Sequence, residues 1–124
     1  MDDALYAKAL AKVKEYRGQD AKLGGGPMAD LNPRLDRLKD ELLWGELWSD
    51  DSVDIKTRSL CTISVLMVLG MEEQLRNHMT WALHIGVTKA QLVSIISQMM
   101  VYGGLAPAHN AMRVAQDLFR EKGL

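Results

Sequence analysis

The run from Leu60 to Met71 constrains this chain more than any other segment. Within it, Leu60-Cys61-Thr62-Ile63-Ser64-Val65-Leu66-Met67-Val68-Leu69 is apolar nearly all round, so at helical pitch it belongs at the centre of a fold. It falls well short of the roughly 20 apolar residues that span a bilayer. Runs of alternating β-branched and polar residues, the mark of strands, are absent. Eight Met beside three Trp, three Tyr and one Phe describe the flexible, aliphatic filling that helical packings use.

Further helices are predicted on both sides of this one. Asp3 to Arg17 places Leu5, Ala9, Val13 and Tyr16 near helical spacing among lysines, and Gly18 ends it. Gly24-Gly25-Gly26-Pro27 is the strongest break, read as a hinge that separates an N-terminal arm, residues 1–27, from a main helical domain, residues 28–124. Asn32-Pro33 caps a second helix with an expected buried stripe of Leu35, Leu38, Leu42 and Leu43. The central helix runs from Asp54 to about Leu69. A fourth, Met71 to His84, sets Met71, Gln74, His78, Trp81, Ala82 and Ile85 along one stripe, with Glu72, Arg76 and Thr80 opposite in water. Thr88-x-x-Gln91 is a capping box opening a fifth helix with Leu92, Ile95, Ile96 and Met99 inward. Pro107 begins a sixth, with Ala108, Ala111, Met112, Ala115, Leu118 and Phe119 on its apolar face. The fold class is all-α: about six helices in antiparallel pairs with short joins.

A chain of 124 residues is one domain by size, and 48% of it is apolar. So short a monomer buries only about two thirds of its unfolded surface, so part of the apolar excess is expected to meet another subunit. Fifteen Lys and Arg against sixteen Asp and Glu leave a net charge of -1, which argues against nucleic acid as a partner. The single Cys61 allows no intrachain disulfide, redox pair or thiolate metal site and suits a reducing cytoplasmic compartment. The acidic start, Met1-Asp2-Asp3, is not a secretory signal, and no membrane partner is expected.

No phosphate loop, HExxH, GxSxG or EF-hand loop is present, so chemistry has to be sought in single residues. Gln74 and His78 lie one helical turn apart on the stripe that carries Met71, Trp81 and Ile85. A histidine there reaches both protonation states near neutral pH and suits proton transfer. Spacing alone does not separate that role from a structural histidine bonded to a backbone carbonyl. Arg58 stands where a guanidinium can hold a carboxylate in two parallel hydrogen bonds, or can pair with Glu46, Asp50 or Asp54. Trp44, Trp48 and Tyr102 suit a core or a pocket wall, and Glu46 is a surface carboxylate unless its loop folds inward. His84 closes the fourth helix, His109 faces water, and Cys61 is an inert small hydrophobe.

The ordered set Gly45-Glu46-Leu47-Trp48, Asp54-Ile55-Lys56-Thr57-Arg58-Ser59-Leu60 with Thr62-Ile63, Gln74-Leu75-Arg76-Asn77-His78, Ala82-Leu83, Gly86-Val87-Thr88 and Val101-Tyr102-Gly103-Gly104 resembles the carboxymuconolactone decarboxylase family. The likeness runs from about Leu42 to Ala115. It implies a helical fold shared with the alkylhydroperoxidase-D-like proteins, assembled as trimers or hexamers with pockets near subunit contacts. The redox branch has Cys-x-x-Cys where this chain has Met71 and Gln74, while its histidine is kept as His78. The decarboxylase branch works without a cofactor or metal on a carboxylated lactone. The resemblance assigns His78 to proton transfer, Glu46 to orienting or supplying a proton, Arg58 to anchoring a substrate carboxylate and Gln74 to the developing oxyanion. Trp48, Trp81 and Tyr102 become pocket walls. The chain departs from the family's usual residues at Gln74, His84-Ile85, Gln91, Ser94 and Ala106, which touches the substrate more than the fold. A family scaffold that has lost its chemistry and serves as a helical assembly module is the competing reading.

Overall fold

A computed structural model describes residues 2–124, and every regular element among them is helical. The elements are α1 (Asp3–Arg17), α2 (Gly26–Leu31), α3 (Pro33–Asp40) with a π-helical continuation (Glu41–Leu47), α4 (Ile55–Leu69), α5 (Glu72–His84), α6 (Lys89–Gly103) and α7 (Leu105–Lys122). The all-α expectation holds, and the helix beyond the expected six is the short α2. It starts within the glycine run, where Gly24, Gly25 and Gly26 all take positive φ and Pro27 occupies the first turn. The chain forms two compact units, Met1–Asp54 and Ile55–Leu124, and the expected arm and hinge fall within the first.

In the first unit α1 packs on the π-helical segment. Asp2 caps α1 by accepting from the Leu5 N–H at 3.0 Å, as Asn32 caps α3 through the Leu35 N–H. Ala9, Val13 and Tyr16 are the buried residues of α1, and the Trp44 and Trp48 rings lie 5.9 and 4.6 Å from that of Tyr16. The Arg17 guanidinium lies 4.9 Å from the Trp44 ring centroid. Burial pushes the Arg17 pKa below its ordinary value, with the negative charge of Asp40 opposing the shift.

The expected apolar stripe of α3 is reversed. Asp36, Asp40 and Glu41 are buried, while Leu35, Leu38 and Leu42 are exposed and Leu43 is half-buried. Two causes combine. The acids have partners: Lys39 bridges Asp36 and Asp40 at 2.9 and 3.3 Å, and a Glu41 oxygen accepts from the Asp2 N–H. Burial alone would lower the Lys39 pKa, but its hydrogen bonds and attraction to Asp36 and Asp40 outweigh that and raise it. The second cause is the π turn, in which the Trp48 N–H donates to the Leu43 carbonyl, five residues back, at 2.9 Å. The wider turn breaks the 3.6-residue period on which the stripe was drawn and carries Trp44, Gly45 and Trp48 inward.

Gly45 is required there. A Cβ at this position would lie 2.8 Å from Leu5 Cδ1 and 2.9 Å from the Leu5 carbonyl oxygen. Gly45→Ala is therefore expected to cost about 1–3 kcal/mol by overpacking, beyond the ~1 kcal/mol that alanine returns as a better helix former. Urea unfolding followed by circular dichroism measures it; a stabilised variant would contradict the close approach.

In the second unit α4 packs against α5, α6 and α7. Its core joins Ile63 and Met67 of α4 to Leu75, Met79 and Ala82 of α5, Leu92 and Ile96 of α6, and the α7 face from Ala108 to Phe119. The capping box forms as expected: Thr88 Oγ1 accepts from the Gln91 N–H at 3.1 Å and Gln91 returns a bond to the Thr88 N–H at 2.9 Å. Two expectations need correction. The α4 run is buried on one face only, at Ser59, Ile63 and Met67, while Val65, Val68, Leu69 and Cys61 are exposed in the single chain. The Thr62 and Ser64 hydroxyls donate to the carbonyls of Arg58 and Leu60 within α4. On α5 the core row is Leu75, Met79 and Ala82, so Gln74, His78 and Trp81 stand beside the core, with Gln74 and Met71 exposed and Arg76 and Thr80 half-buried. Neighbouring rows on a helix are about one residue apart, and the more apolar row took the core.

Candidate active site

The site candidates divide between the two units. On α5, His78 and Trp81 are in ring contact, centroids 4.9 Å apart and planes at 73°, so the imidazole meets the indole edge to face. Both are half-buried, which leaves His78 one side against an aromatic wall and another open to water. Gln74 is exposed one turn before His78. Arg58 lies half-buried near the start of α4, the helix packed against α5, with its Nε shielded from solvent. Tyr102, on α6, is 80% exposed. It precedes Gly103, where a Cβ would clash with Val68 Cγ2, so α6 and α4 are in close contact at this end of the unit.

The other two candidates belong to the first unit. Trp48 is 8% exposed, its ring centroid 4.6 Å from Tyr16 and 4.9 Å from Trp44, so most of its surface is spent on the core. Glu46 is exposed and lines a cavity of about 460 Å³ with Asp2, Glu41 and three leucines, Leu5, Leu38 and Leu42. Three acids around one cavity make a negative field, which disfavours a carboxylate ligand there. The second unit differs in that α4, which packs against α5, carries the cations Lys56 and Arg58 near its start. A Cβ on Gly86, just past the end of α5, would lie 3.3 Å from Lys56 Nζ, so a second α4 cation reaches the negative end of the α5 dipole. Lys56 was missed in the sequence, and the signal was there: it stands two residues before Arg58, and the only break at the end of α5 is Gly86, with φ +96°. His84 ends α5, and it and His109 are exposed, in line with the readings given for them. Among the described residues no three His, Cys, Asp or Glu side chains are arranged to hold a metal ion.

Comparison with known proteins decides the relationship. The profile of the carboxymuconolactone decarboxylase family matches residues 33–117. The chain belongs to this family. A 4-carboxymuconolactone decarboxylase of Acinetobacter baylyi (strain ATCC 33305 / BD413 / ADP1) is 37% identical over 95 residues, 77% of this chain and 71% of that protein. An uncharacterized 15.0 kDa protein from the nqo9-nqo10 intergenic region of Paracoccus denitrificans is 34% identical over 97 residues, 77% of this chain and 72% of that protein. The match to the family profile begins at Pro33, the first residue of α3, and ends at Asp117, inside α7. Carboxymuconolactone decarboxylase features therefore extend over α3 to α7 and leave α1 and α2 outside. No helix among the described residues is long and apolar enough to cross a membrane.

Proposed function

We propose that this member of the carboxymuconolactone decarboxylase family is a cofactor-free carboxy-lyase acting on 4-carboxymuconolactone or a related carboxylated lactone or ring acid. The observation that carries the reading is the 37% identity to the Acinetobacter decarboxylase across 95 residues. In the reaction the bond between ring carbon and carboxylate breaks, CO2 leaves, and the electron pair flows into the unsaturated lactone toward its carbonyl oxygen. A proton returned to the ring gives the enol-lactone. Such a step asks the protein for orientation, oxyanion stabilisation and one proton.

His78 is the proton donor in this account, half-buried against Trp81 and open on its other side. Arg58 anchors a carboxylate with its guanidinium fork, Gln74 donates to the oxyanion, and Trp81 and Tyr102 wall the ring. Glu46 keeps its role of orienting or supplying a proton, and Trp48 its role as a wall, as the weaker members of the set. The first has acidic neighbours, and the second has little free surface. Consumption of the carboxylactone by purified protein, followed by absorbance, tests the reading. Turnover supports it, and the absence of turnover favours the assembly-module alternative, to which the exposed position of Gln74 lends support.

The working form is a homo-oligomer, trimer or hexamer. Support comes from apolar side chains left open on the second unit, Val65 and Leu69 of α4, Val101 and Tyr102 of α6, and Leu105 of α7. Light scattering on the eluting protein is expected to give a three- or sixfold multiple of the 13.8 kDa chain. Val101→Asp, which changes a 76% exposed position, is expected to lower that mass without unfolding the chain. A monomer at micromolar concentration would contradict the proposal.

A further inference from the structure

A second cavity, of about 310 Å³, lies on the second unit between α6 and α7, with no α5 residue in its lining. We infer that it binds a small organic acid with an apolar body, an aryl or short alkyl monocarboxylate. Its volume stands at the lower end of the range for small-molecule pockets, about 300–1,000 Å³, which suits a ligand of one ring. Val93, Met112, Phe119 and Leu124 supply an apolar lining, and Lys89, Gln116 and Arg120 supply the polar groups. No acidic side chain lines it.

The two cations set the sign of the ligand. Elsewhere in the chain Arg37, Lys39, Arg76 and Arg113 are each paired with a carboxylate. Lys89 and Arg120 have no carboxylate partner among the described residues. Lys89 is held instead over the buried Phe119 ring, Nζ 5.2 Å from its centroid, which fixes an ammonium at the edge of an apolar surface. Lys89 is also the first residue of α6, where the capping box uses the N–H groups of Thr88 and Gln91, so the positive end of the helix adds to the same field. An incoming carboxylate gains charge-assisted bonds from Lys89 and the Arg120 fork, and its hydrocarbon part covers Val93, Met112 and Phe119. A bare inorganic anion leaves that surface wet, and a neutral amide leaves both cations unpaired. The site therefore selects for the two features in one molecule.

Titration of the ¹⁵N-labelled full chain with benzoate, benzamide and inorganic phosphate tests this. Benzoate is expected to shift the amides of Lys89, Val93, Gln116 and Arg120 in a saturable way, with benzamide and phosphate each weaker by at least about tenfold. Lys89→Met and Arg120→Met remove one charge each while keeping an apolar stem, and each is expected to weaken benzoate by about five- to tenfold. Both residues are exposed, so the melting temperature of each variant should stay within about 2 °C of the parent. Benzamide binding as well as benzoate would overturn the charge argument, and phosphate binding as well as benzoate would overturn the apolar one. Shifts confined to the α5 row, or none up to about 20 mM benzoate, would overturn the site itself. The inference is independent of decarboxylation, since the readout is local to α6 and α7.

Discussion

His78→Ala is expected to lower kcat on the carboxylactone by about 10²–10⁴-fold, the span that a positioned general acid or base contributes. That corresponds to roughly 3–5 kcal/mol of transition-state stabilisation. The same change should affect folding far less. The imidazole is half-buried and its clearest contact is edge to face with Trp81, a pairing that contributes about 0.5–1.5 kcal/mol. A loss of that size lowers the melting temperature of a chain this long by several degrees at most. The two readouts together separate the roles. A structural histidine would show the stability loss with kcat intact, whereas a proton donor shows the reverse proportion. On the proposed assignment, in which Arg58 rather than His78 holds the substrate acid, KM should change little.

Trp44→Ala has the largest expected effect on stability, about 3–5 kcal/mol, as for other buried aromatics cut to alanine. Trp44 lies between Trp48 and the guanidinium of Arg17, with centroid distances of 4.9 Å to each, and Tyr16 stands at 5.9 Å. Removing the ring opens a cavity among Tyr16 and Trp48 and takes away the π face beneath a cation that burial already disfavours. A fall in melting temperature of more than about 10 °C, with loss of near-ultraviolet circular dichroism, is the expected outcome. A change under about 1 kcal/mol would mean that the aromatic cluster is not the core of the first unit.

Helix boundaries were legible in the sequence because they depend on local chemistry. Asn32 with Pro33 and Thr88 with Gln91 each carry their own cap, and both caps form. Faces were less legible, because they depend on what lies opposite. The leucines of α3 looked like a core stripe, but Asp36 and Asp40 share Lys39 and turn inward as a set, which no spacing rule shows. Gly45 and Trp48 were visible as a motif, yet the π turn that brings them against α1 leaves no residue signature of its own. The α4 run announced its helix and overstated its burial. An all-round apolar helix implies neighbours on every side, and a single chain supplies only some of them. In the candidate site the Gln74–His78 spacing was readable from helical pitch, as was the stripe shared with Trp81. The placement of Glu46 among acids was not, because Asp2 and Glu41 come to it from other turns of the fold.

The central claim is that this chain breaks a carbon–carboxylate bond using its own side chains. The most direct measurement follows a carboxylactone labelled with ¹³C at the carboxyl group, incubated with the purified protein without added cofactor and observed by ¹³C NMR. The account predicts labelled CO2 and bicarbonate in equal amount to unlabelled enol-lactone, with His78→Ala close to the uncatalysed rate. Label retained on the lactone at that same uncatalysed rate with the parent protein would contradict it.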